Sequence, residues 1–82
     1  MISINITRDG TSWVSRSTDE RFQFTDDSIC ELVRRILMAA NYQWSSIKIV
    51  SSRENGSTLL ALLIANRELI EQGDSHISFL VR

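Results

Sequence analysis

Few residues in this chain have the type and spacing that catalysis or ligand binding needs. Asp26 and Asp27 are neighbouring carboxylates that could hold a cation. His76 follows Asp74 by two residues, as a base follows an orienting carboxylate, and Cys30 is the single thiol. Each has a plainer structural reading. Thr25-Asp26-Asp27-Ser28 supplies side-chain oxygens for the free N–H groups of a helix start, and puts negative charge at its positive end. Asp74 and His76 sit at a turn, where such groups face water. Cys30 borders an apolar stripe and reads as a small packed hydrophobe. One Cys is too few for a Cys-rich zinc site, and His76 has no His or Cys close in sequence. Gly10, Gly56 and Gly73 fall in separate turns and cannot form a phosphate-cradling loop. The expectation is a protein that is not an enzyme, with no catalytic residues, metal or cofactor.

Eighty-two residues give room for one core, so residues 1–82 are read as a single domain. Hydrophobic residues at 43% and charged residues at 23% are those of a folded chain rather than a disordered one. Nine basic and ten acidic side chains leave a net charge of −1, so no overall field draws the chain to a polyanion. Arg34, Arg35, Arg53 and Arg67 are diluted by acidic neighbours and read as solvated surface. No run of about 18 apolar residues spans a membrane, and Met1-Ile2-Ser3-Ile4-Asn5 alternates where a signal peptide would not. A lone Cys fits a reducing compartment, so a cytoplasmic location is expected.

The elements follow from periodicity. Ile2, Ile4 and Ile6 alternate with polar residues as a half-buried strand does. If Asp9 and Gly10 centre the turn that follows, Ile6 pairs with Trp13 and the indole joins the isoleucine face. Ser15 to Glu20 is polar, and Phe22 and Phe24 either extend the second strand or form a short extra one. Ile29, Leu32, Val33, Ile36, Leu37 and Ala40 make one helical stripe, with Ser28 and Glu31 as a capping box and Asn41 as its left-handed end. Each large stripe residue stabilises by roughly 1.5–3 kcal/mol on burial, against a few tenths for Glu31 with Arg34 or Arg35. Ser46 to Ser52 is a strand. Asn55-Gly56 then signals a hairpin pairing Ile47 with Ile64, Ile49 with Leu62 and Val50 with Ala61. A helix from Ser57-Thr58 to Gly73 is the alternative. A helical turn over Arg67 to Glu71 and a last strand over Ser75 to Arg82 close the chain. In that strand Ile77, Phe79 and Val81 share one face, and His76, Ser78, Leu80 and Arg82 the other.

This order resembles the β-grasp of ubiquitin-like proteins. The resemblance lies in Met1 to Ile6 as the opening strand, Thr25-Asp26-Asp27-Ser28-Ile29 before the central helix, and Ser46 to Val50 as the third strand. It is most specific in Leu69 to Val81, where a helical turn leads through Gly73-Asp74 into the last strand. In style it is closest to the small ubiquitin-like proteins of bacterial type VII secretion systems. It implies an α+β fold with an N-terminal β-hairpin, one central α-helix, further strands and a short helical turn. Val81-Arg82 in place of a terminal Gly-Gly implies an unconjugated protein, and Lys48 is the only lysine. The resemblance also implies binding by the sheet face opposite the helix, at Lys48 or Val50, Ser78, Leu80 and Arg82.

The hairpin register independently gathers Val50, Leu59, Ala61 and Leu63 on that face, where a contiguous apolar patch would mark an interface. A protein partner, a homodimer, or both are expected through this open face. Trp44, in a polar loop, reads as either a lid on the helix end or a contact residue. Two other functions fit the same sequence. One is a small inhibitor or immunity-type protein of a phage or mobile element, which could bind through Thr18-Asp19-Glu20. The other is a small nucleic-acid-binding regulator.

Overall fold

Alternating isoleucines, a capped amphipathic helix and two later apolar strands build a two-layer α+β structure. The computed structural model describes residues 1–43, 46–72 and 76–82. Strands β1 (Ile2–Asp9), β2 (Ser12–Ser17) and β3 (Phe24–Asp26) form an antiparallel meander, with a 3-10 turn at Glu20–Phe22 between the last two. Helix α1 (Ile29–Gln43) carries the chain across the sheet to β4 (Ile47–Ser51), parallel to β1. Helices α2 (Arg53–Ala65) and α3 (Arg67–Gln72) then lead to β5 (Ile77–Val81), parallel to β4. The sheet order is β3-β2-β1-β4-β5.

Both crossovers advance in the same direction along the sheet, so right-handed connections put their helices on one face. The core confirms it. Ile4, Ile6, Ile47 and Ile49 of the sheet, Leu32, Val33, Ile36, Leu37 and Ala40 of α1, and Leu59 and Leu63 of α2 form a single buried cluster. α1 starts as its sequence dictates: the Ser28 hydroxyl accepts from the Glu31 N–H at 3.4 Å. Asp26 and Asp27 serve that junction. Asp26 accepts from the Ser28 N–H at 2.9 Å and faces Arg35 at 3.8 Å, and Asp27 accepts from the Ser12 hydroxyl at 2.9 Å.

Several expectations are corrected. The first hairpin turns on Gly10-Thr11, because Gly10 takes φ +63° at the first central position. Ile6 therefore pairs with Ser15 and Arg8 with Trp13, two residues from the expected register. A shift of two preserves the face, and Trp13 still packs against the core. Phe24 lies in a short extra strand. Asn41 is inside α1, which runs on to Gln43. Cys30 is exposed, turned away from the stripe in the first turn of α1.

The largest correction concerns residues 53–65, which form α2 and not a hairpin arm. β4 already has parallel partners on both sides, β1 and β5, so no edge remains for a returning strand. Leu59 to Ala65 is rich in good helix formers, and the Asn55 N–H closes the first turn on the Ser52 carbonyl at 3.2 Å. Gly56 marks a close approach. A Cβ there would lie 3.1 Å from both γ-carbons of Val81. α2 ends at Asn66, whose side-chain amide donates to the Leu62 carbonyl at 2.8 Å. The helix layer thus holds α1, α2 and α3 rather than one central helix. Trp44, Gly73 and Asp74, with the readings attached to them, lie outside the described residues.

Candidate interaction surface

Strand alternation gives the sheet a second face that meets no described helix. Odd-numbered residues of β4 and β5 turn toward the helices; Lys48, Val50, Ser78 and Leu80 turn away. Pairing sets these side chains in rows. Arg16, Asn5, Val50 and Leu80 cross the sheet from β2 to β5. One step away run Ser3, Lys48 and Ser78. On the other side run Thr25, Val14 and Thr7. The N–H of Arg82 donates to the Ser51 carbonyl at 2.8 Å and extends the ladder past Val81. Arg82 then borders a recess of about 220 Å³ with Asn5, Thr7, Val50 and Ser52.

The eight expected interface residues therefore divide. Lys48, Val50, Ser78, Leu80 and Arg82 come together on the open face. Leu59 and Leu63 do not: they are 0% and 7% exposed in the core, because their segment is helical. Ala61 is exposed on the outer side of α2, in the opposite layer. The expected apolar patch is lost with the hairpin. Val50 is only 5% exposed, between Asn5 and Leu80, while Leu80 is 38% exposed and Met1 71%. Met1 reaches this face too, where its sulfur accepts from the Ser78 hydroxyl at 3.7 Å. The surface is mainly Ser, Thr and Asn, with Val14, Leu80 and Met1 as apolar points.

Its charge was not foreseen. Arg16, Lys48 and Arg82 lie on this face, whereas the acidic groups that reach it, Asp9 and Asp27 on the Ser12 hydroxyl, are at the hairpin end, and Glu31, Glu54, Glu68 and Glu71 are on the helices. A chain with net charge −1 thus turns a basic side outward from its sheet. Summed composition hides this; residue parity within each strand reveals it.

Sequence reasoning also missed Ser15. This buried residue lies on the helix side of β2, donates from its hydroxyl to the Phe22 carbonyl at 2.7 Å and accepts from the Phe24 N–H at 2.8 Å. It fixes the 3-10 turn and β3 to β2. At the same turn, Arg21 binds both oxygens of Asp19, with Nε at 2.8 and 3.0 Å. That side-chain pairing, aided by the Arg21 N–H, pushes the Asp19 carboxyl down from 3.8 to about 2.

Among the described residues, no group of three or more His, Cys, Asp or Glu could hold a metal. No described helix is long and apolar enough to cross a membrane. Comparison with protein-family models, curated proteins and solved structures gives no match.

Proposed function

We propose that this protein is a non-enzymatic interaction module that binds a protein partner through the helix-free face of its sheet. One observation carries the reading: Lys48, Ser78, Leu80 and Arg82 stand together around Val50 on a face that no described element covers. The fitting partner presents a flat surface with acidic groups for Arg16, Lys48 and Arg82 and a small apolar contact for Leu80 and Val14. A nucleic-acid partner has less support. Trp13, Phe22, Phe24 and Phe79 all turn to the helix layer, so their rings give the open face no stacking platform. The likeness to ubiquitin-like proteins rests on the order of elements and on Leu69 to Val81; that order admits a strand or a helical segment after β4, and the segment there is helix α2.

The test is affinity capture from cell extract with three baits: the native protein, Lys48→Glu with Leu80→Glu, and Met38→Glu on the exposed side of α1. A partner held by the first and third baits and lost from the second is expected, and added salt should weaken it. A partner that survives the double substitution would place binding elsewhere.

A further inference from the structure

We propose that the free edge of β5, together with the outer side of α2, is the docking surface for a second copy of this chain, joining two sheets into one. β5 ends the sheet, and its core run Ile77-Ser78-Phe79-Leu80-Val81 has no charge, proline or bulge to discourage pairing. The opposite edge, β3, is three residues long and includes Asp26. Only one edge is built to pair.

The hydrogen-bond phase fits a two-fold axis. The His76 carbonyl accepts from Ile47 at 2.9 Å and the Arg82 N–H donates to Ser51 at 2.8 Å, so even-numbered residues of β5 face β4. The N–H and C=O groups of Ile77, Phe79 and Val81 therefore point outward. An antiparallel second copy centred on Phe79 makes reciprocal bonds at Phe79 and at both Ile77–Val81 pairs, using every outward group of the strand. On the helix side, apolar Ile77 then meets apolar Val81.

The helix layer fits the same axis. Gly56 abuts Val81. At about 3.3 Å per strand residue and 1.5 Å per helix residue, moving from Val81 to Phe79 corresponds to about four residues of α2 and arrives at Leu60. Leu60 and Ile64 continue round the helix from Gly56, beyond the sheet edge, and are 48% and 63% exposed. A helix apolar on both sides needs cover on both sides. α2 packs over β4 and β5, so its axis lies about one strand spacing from the dyad. The two α2 helices then stand about 10 Å apart, which is helix-packing distance. The seam is about 17 Å long and two layers deep, smaller than a permanent interface, so the pairing is reversible rather than obligate. The β5 edge and the open face are different surfaces; a dimer presents two open faces side by side.

Sedimentation velocity from low-micromolar concentration to the solubility limit tests this. The native protein should shift reversibly from monomer to dimer. Leu60→Glu should weaken association by about tenfold or more, because like charges meet at the axis, while Met38→Glu should dimerise as the native chain does. In a Cys30→Ser background, Leu60→Cys should form a disulfide-linked dimer on mild oxidation. Both Leu60 and Met38 are exposed, and far-UV circular dichroism checks that each variant folds. A native protein that stays monomeric to the solubility limit, a Leu60→Glu variant that associates normally, or a Leu60→Cys variant that forms no linked dimer would each overturn the proposal.

Discussion

Replacing Gly56 with Ala sets two effects of known sign against each other. In a helix the change is worth up to about 1 kcal/mol of stability, and Gly56 closes the first turn of α2. The added methyl would sit 3.1 Å from Val81 Cγ1 and Cγ2, several tenths of an ångström inside ordinary contact. Overpacking of this kind costs about 1–3 kcal/mol. Val81 is 44% exposed on an edge strand and can yield, so the cost belongs at the lower end. Gly56→Ala alone should change stability by between about 0 and 1 kcal/mol, destabilising. With Val81→Ala already present the clash is gone, and the same substitution should stabilise by up to about 1 kcal/mol. The coupling between the two sites is then about 1–2 kcal/mol. Urea unfolding of the four proteins, followed by circular dichroism at low-micromolar concentration so that association contributes little, measures it. An equal loss in both backgrounds would refute the contact, and a loss well above 1 kcal/mol in both would favour the left-handed turn of a hairpin.

Two further outcomes follow from the 3-10 turn. Ser15→Ala should cost about 1–3 kcal/mol in urea unfolding, because the buried Phe22 carbonyl and Phe24 N–H both lose a partner. The Asp19 carboxyl, followed by NMR, should titrate at about 2 and return toward 3.8 in Arg21→Ala. Since folding lowers this value, the pairing helps the fold above pH 3.8 and is lost as pH falls through about 2. The pair is exposed, so little of the total stability should follow it.

Local chemistry made much of this fold readable. The isoleucine alternation of β1, the Ser28 cap and stripe of α1, and the two faces of β5 each depend on side chains within a few residues of one another. Face assignment survived the hairpin's register shift because a shift of two keeps parity, which is why Trp13 reached the core from the wrong pairing. Residues 53–65 failed for a different reason. Asn55-Gly56 has the composition of a tight turn, and only the parallel arrival of β5 beside β4, about twenty residues later in the chain, makes it the first turn of a helix. Gly56 is explained by Val81, a contact invisible to any local window. The candidate surface divided along the same line. Lys48, Val50, Ser78, Leu80 and Arg82 were placed by strand parity, whereas Leu59, Ala61 and Leu63 were placed by a pairing that does not exist.

The most direct measurement is NMR line broadening of side-chain signals by a soluble, uncharged paramagnetic probe. The helix-free face predicts strong broadening at Leu80, Lys48 and Met1, with Ile47, Ile49, Leu59 and Leu63 protected beneath α1 and α2. Protection of Leu80 and Lys48 together with broadening of Leu59 and Leu63 would contradict it.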